Sequence, residues 1–161
     1  MTRSAQTIAV VTLGIALTFA GGLLAAQSGG ENALARRIEG AWMVQVTLRQ
    51  CDTGAEIPNS TLPGLHTFLS GGAMLSSPAT NSLSTGHGVW THTGGNEFQN
   101  TIRLFAYSPG GTLAAIATVA RDIVLSPDGA SLTSYDVSEL RDPAGNVLGT
   151  RCASATATRL D

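Results

Sequence analysis

From Ile38 onward the chain alternates apolar and polar positions in short runs. Period-two alternation bounded by turn residues is the signature of half-buried β-strands. The clearest run is Gly40-Ala41-Trp42-Met43-Val44-Gln45-Val46-Thr47-Leu48-Arg49-Gln50-Cys51, whose even positions are mostly apolar. The pattern predicts strands over 41–51, 64–70, 72–77, 86–93, 96–107, 112–125, 130–141 and 146–159. Between them lie turns that preset the backbone through proline or glycine: Thr93-Gly94-Gly95-Asn96, Ser108-Pro109-Gly110-Gly111, Ser126-Pro127-Asp128-Gly129 and Asp142-Pro143-Ala144-Gly145-Asn146. The long connections are 52–63 and 78–85. Turns a strand apart predict an all-β fold, an up-and-down antiparallel meander.

Directly paired residues share a face of a sheet, so each turn transmits the face of one strand to the next. A Gly94-Gly95 turn sets Thr91 against Phe98 and Val89 against Asn100. The next turns set Leu104 against Ala115, Ile123 against Leu132 and Leu140 against Val147. One face then collects the aliphatic residues: Val89, Phe98, Ile102, Leu104, Leu113, Ala115, Ala117, Val119, Ile123, Leu125, Leu132, Leu140, Val147, Ala153, Ala155 and Ala157. The other is mainly polar, though it also carries Trp90, Phe105, Tyr107 and Tyr135. Aromatics on the polar face signal a bulge somewhere in the register.

The first and last strands have matching faces. If they pair antiparallel with Cys51 opposite Cys152, Val44 falls opposite Arg159 and Trp42 lies on the diagonal. Both cysteines then point outward, and Trp42 and Arg159 point inward. This pairing closes the meander into a barrel of about eight strands and removes its free edges. A Cys51–Cys152 disulfide would close a loop of about 100 residues, worth roughly 4.7 kcal/mol in the chain-entropy model. A Trp42–Arg159 stack would be structural, worth roughly 0.5–2 kcal/mol.

The N-terminal segment reads differently. Arg3 precedes a long apolar run over 8–26, and Ala26-Gln27-Ser28 offers small residues for cleavage. This is the pattern of a secretory signal peptide over 1–28. The competing reading is an uncleaved N-terminal anchor, because the run approaches the ~20 residues that span a bilayer. A linker with a short helical turn follows over 29–38, and the barrel occupies 39–161. Export to a secreted or periplasmic location suits a disulfide.

Composition narrows the function classes. The net charge is -2 and all nine basic residues are arginines. No basic patch marks a nucleic-acid partner, and without lysine there is no Schiff-base chemistry. The only membrane association expected is transient, through the signal segment. No oligomeric state is implied.

The residues Gly40-Ala41-Trp42, with Arg159 near the end of the last strand, resemble the lipocalins and the wider calycin group. Proteins of that group begin the first barrel strand with Gly-x-Trp, and an arginine of the last strand packs over the tryptophan. A short helical turn commonly precedes the motif. The resemblance implies a small bacterial secreted barrel with a ligand-holding interior. The barrel segment is shorter than in most lipocalins, and their Thr-Asp-Tyr motif is missing. Small barrels such as the allene oxide cyclase-like proteins are similar too, and some of those are enzymes.

The predicted inner face carries charges. Asp136 falls opposite Val119 on one side and Arg151 on the other, with Arg121 diagonal to it and Asn100 diagonal to Arg121. Such a cluster is a polar anchor for a carboxylate, phosphate or hydroxylated ligand, or else a self-satisfied ion network. His87 is expected inward beside Val89, and Phe98 and Val119 line the same interior; His66 is assigned to no face. His87 and His92 lie five apart on one strand and so point to opposite faces. No metal site is expected. No nucleophile motif is present, and Gly86-His87-Gly88 lacks the helix a phosphate loop requires, so no cofactor is expected.

Three functions follow as expectations. The first is binding of a small hydrophobic or amphipathic ligand, with Arg121, Asp136, Arg151, Asn100, His87, Phe98 and Val119 as interior candidates. The second is a cyclase- or isomerase-type barrel enzyme acting on a hydrophobic substrate, with Asp136, Arg121 or His87 assisting. The third is a structural or interaction domain with a collapsed interior. A void of about 300 Å³ or more separates the first two from the third.

Overall fold

The computed structural model describes residues 33–160. The expected signal segment over 1–28 lies outside the described residues. A helical turn over 33–38 leads into eight strands: β1 (Gly40–Arg49), β2 (Leu62–Phe68), β3 (Ala73–Pro78), β4 (Gly86–Gly94), β5 (Glu97–Tyr107), β6 (Leu113–Leu125), β7 (Ser131–Arg141) and β8 (Val147–Arg159). Each strand pairs antiparallel with the next, and β1 pairs with β8, so the meander is a closed barrel. Among the described residues no helix is long and apolar enough to cross a membrane.

The seam between β1 and β8 differs from the expected register by two residues. Trp42 pairs directly with Arg159, and Arg49 with Cys152. Cys51 sits just beyond β1 and still reaches Cys152, with a Cα–Cα distance of 5.2 Å. The chain turns just beyond β1, where Gly54 N–H donates to Gln50 O at 2.9 Å, and Cys51 stands in that turn.

The barrel's closed end is an aromatic plug. The Arg159 guanidinium carbon lies 4.3 Å from the centroid of the fully buried Trp42 ring. Arg159 donates from Nε to Gly129 O (3.1 Å), from Nη1 to Glu39 O (2.7 Å) and from Nη2 to Arg37 O. Trp42 Nε1 donates to Ile38 O at 2.9 Å, tying the helical turn to the plug. Gly40 has a φ of +124°, and a Cβ there would lie 2.8 Å from Arg159 Nη1. Only glycine meets both conditions cheaply, which gives the Gly-x-Trp motif its physical meaning here. Phe68, Trp90 and Phe98 stack edge-on or tilted, with centroids about 6 Å apart, and complete the plug.

Bulges correct three details of the expected inner face. In the β4–β5 hairpin His92 pairs with Phe98 and Gly94 with Glu97, which leaves Thr93 as an extra residue. The parity of β4 therefore reverses. Trp90 turns inward and donates from Nε1 to Leu69 O at 3.0 Å, while Val89 turns outward with 65 % of its surface exposed. His87, expected inside, is exposed on the outer wall. Burying the larger indole instead of a valine is the stronger hydrophobic gain. Gly88 faces inward, and a Cβ there would meet Thr101 O at 2.0 Å. A second bulge, between Leu140 and Arg141, leaves Val147 exposed. Phe105 and Tyr135 stay on the outer wall.

The β6–β7 pairing keeps the expected faces but is shifted by two residues. Ser126 N–H donates to Ser131 O, so Leu125 pairs with Leu132 and Arg121 with Asp136. The turn is fixed by Asp128, whose carboxylate accepts from Ser126 Oγ and from Ala130 N–H. These bonds hold the Asp128 carboxyl below its usual range, the Ser126 hydroxyl contributing most.

Candidate functional site

A cavity of about 830 Å³ occupies the barrel on the far side of the plug. Its walls are mainly aliphatic: Val46 and Leu48 of β1, Leu104 of β5, Ala117 and Val119 of β6, and Leu140 of β7. Asn59, Ser60 and Thr61 from the loop between β1 and β2 line its mouth, with Leu83 and Tyr107. Cys152 also lines it, so the disulfide staples the strand end and loop that frame the opening.

The floor is polar. Following each strand inward from the mouth, the last lining residues are Val44, His66, Ser76, Arg121, Asp136 and Ala153 on β1, β2, β3, β6, β7 and β8. The next inward-facing residues, among them Trp42, Phe68, Met74 and Ile123, belong to the plug. Four of these six floor residues are polar, and all four are buried.

Arg121 and Asp136 pair across β6 and β7, with Nε donating to Oδ2 at 2.7 Å. Their side chains are 6 % and 2 % exposed. Asp136 Oδ1 accepts from Ser134 Oγ at 2.6 Å. Arg121 makes no other hydrogen bond among the described residues, and its Nη1 is buried without a partner. An unpartnered buried donor costs roughly 1–3 kcal/mol, and buried polar groups without partners are rare enough to require a reason.

His66 lies beside this pair. Burial, and secondarily the charge of Arg121, push its pKa from 6.5 down to about 3. The imidazole is therefore neutral throughout the physiological range. It makes no hydrogen bond among the described residues and packs edge-on against Phe68, with centroids 6.4 Å apart.

The structure therefore brings together Arg121 and Asp136, with Val119 lining the wall above them. It separates the rest of the expected set. Arg151 pairs with Ser138, not with Asp136, because the turn sets Arg141 opposite Val147 instead of Asn146 and the Leu140/Arg141 bulge adds one further residue, two in all. It lines the cavity but is exposed, near the mouth. Asn100 pairs directly with Arg121, yet its Nδ2 donates to Met74 Sδ at 2.9 Å, its Oδ1 has no partner, and it lies outside the lining. Phe98 belongs to the plug, and His87 is outside the barrel. The floor residues not expected from the sequence are His66 and Ser76. The alternation Leu62-Gly64-His66-Phe68 hinted at an inward His66, but no short turn ties β2 to β1. Among the described residues no group of three or more His, Cys, Asp or Glu side chains converges as metal ligands do.

These features define a closed eight-stranded antiparallel barrel with a plugged end, a stapled mouth and an interior cavity floored by a buried ion pair. No family model, curated protein or solved structure matches the chain.

Proposed function

We propose that the protein is an exported, calycin-like barrel that binds a small hydrophobic or amphipathic molecule in its interior. One observation carries the reading: a cavity of about 830 Å³ with aliphatic walls and a few convergent polar groups at its base. Ligand sites commonly have this size and make-up, about 300–1,000 Å³ and mostly apolar. The cavity also argues against the collapsed interior a purely structural domain would have. The disulfide supports an oxidising compartment. The calycin-like assignment rests on Gly40, Trp42 and Arg159 meeting as that resemblance implies.

The polar floor also favours a second reading, a cyclase- or isomerase-type enzyme. A buried Arg–Asp pair and a neutral imidazole at the cavity floor can stabilise charge that develops on a bound substrate. Native mass spectrometry of protein purified from its own host distinguishes the two. One intact non-covalent ligand supports binding; a precursor and its isomer or cyclised product support catalysis. Protein that arrives empty and takes up no amphiphile from a panel overturns both.

A further inference from the structure

Resting on the binding reading, the geometry points to a ligand that enters polar end first and presents a neutral hydrogen-bond acceptor, a carbonyl, to Arg121. Its hydrocarbon part then lies along the aliphatic walls toward the mouth.

The direction follows from where the polar groups are. His66, Ser76, Arg121 and Asp136 end the lining on their strands, and the walls above them are Val46, Leu104, Ala117, Val119 and Leu140. A tail-first ligand would set its head group at the mouth beside Asn59, Ser60 and Thr61, but would leave apolar carbon against the buried polar floor and the open Arg121 donor unmet. Leaving that donor unmet costs free energy.

The acceptor character follows from Arg121. Its Nε is used by Asp136 and Nη1 is enclosed without a partner, while Nη2 makes no hydrogen bond among the described residues and is the terminal nitrogen left open to the cavity. Arginine carries donors only, so the group that completes it must accept. A carbonyl oxygen does so, and His66, near enough to feel the Arg121 charge, lines the same floor with its β3 partner Ser76.

Neutrality follows from the charges already present. Arg121 and Asp136 form an ion pair at 2.7 Å, internally neutral, and His66 is neutral beside it. A carboxylate head would add one buried negative charge next to Asp136 with no free cation at the floor. The nearest remaining cation lining the cavity, Arg151, is exposed near the mouth, where water screens it. An ammonium head would meet Arg121 itself. Burying an uncompensated charge is expensive in either case.

The test uses three probes with one ten-carbon chain, decan-2-one, decanoate and decylamine, titrated calorimetrically into the intact protein at pH 7.5. Decan-2-one is expected to bind at least about tenfold more tightly than either charged probe. Isotope-filtered NOEs are expected from the methyl beside the carbonyl to His66, and from the chain end to Leu83 or Tyr107. The double variant R121M/D136L replaces the pair with apolar groups and so leaves no lone buried charge. It is expected to keep the barrel and to reduce the preference to within about a factor of two. Equal affinities, or a tighter charged probe, overturn the inference while leaving interior binding intact. Reversed NOEs overturn the head-first orientation. If none of the three probes binds, this inference falls, while the binding reading stands or falls with the mass spectrometry and amphiphile panel above.

Discussion

Arg121 and Asp136 face each other on adjacent strands at the floor of the cavity, joined by a 2.7 Å hydrogen bond and almost fully shielded from water. A pair in this position is a specificity device more than a source of stability. Two charges lose much of their hydration on burial, and their attraction roughly offsets that loss. The pair sets the polarity of the floor and the direction in which Arg121 presents its remaining donors.

Breaking that pair on one side should be far worse than removing it whole. Asp136→Ala leaves a buried guanidinium without its partner, and a loss of about 3–5 kcal/mol is expected. R121M/D136L should lie much closer to the parent. Urea denaturation of the single and double variants measures both. A single variant as stable as the double would mean that the floor is wetter than its burial indicates.

His66 makes stability depend on pH in a defined window. Its pKa is about 3 when folded and 6.5 in the unfolded chain. Between those values the unfolded chain binds a proton that the folded protein does not. Stability is therefore full above about pH 6.5 and falls as the pH drops toward 3, by at most about 1.4 kcal/mol per pH unit. His66→Gln should remove this slope between pH 6.5 and 4. Loss of the bonded Asp128 and Asp142 carboxylates adds destabilisation only at lower pH, as they protonate. Midpoints of urea unfolding across the range test the prediction, and an unchanged slope in the variant would refute it.

The disulfide closes a sequence separation of 101 residues. Removing it in the double variant C51S/C152S is expected to cost roughly 2–5 kcal/mol. The β1–β8 ladder remains, so the barrel should persist at low temperature while the mouth loosens. Far-ultraviolet circular dichroism tests the first part. Faster amide hydrogen exchange over residues 50–61 tests the second.

The plug should be sensitive to one methyl group. Gly40→Ala imposes a strained φ and brings Cβ within 2.8 Å of Arg159 Nη1. A destabilisation of about 1–3 kcal/mol is expected. Arg159→Ala removes the stack on Trp42 and the donors to three carbonyl groups, and should cost at least as much. Thermal melts compare the two, and additivity in the double variant would show that they act separately, against the contact described here.

Filling the cavity should separate binding from folding. Ala117 lies in the wall beside Val119 and Leu140, and Ala117→Phe places a ring in the void. The variant is expected to remain folded and to lose uptake of an amphiphile such as decan-2-one. Undiminished uptake would place the ligand elsewhere.

The sequence alone determined that this is an antiparallel meander with one aliphatic face, and that its two ends belong together. Strand alternation is local, and short turns pass it from strand to strand, so even a register shifted by two residues keeps the same residues inside. That is why Arg121, Asp136 and Val119 were legible as interior positions, and why Cys51 and Cys152, like Trp42 and Arg159, were legible as partners. Tertiary structure decided everything that depends on odd shifts or on the third dimension. One extra residue, Thr93, exchanged Val89 and His87 for Trp90 and Gly88. The β7–β8 turn and the bulge near Leu140, one residue each, moved Arg151 from Asp136 to Ser138. His66 reached the floor through a strand that no short turn ties to β1. A bulge costs little locally and is chosen by which side chains the closed barrel can bury. The height of a residue along the barrel, which separates floor from plug, is set only when all eight strands have closed.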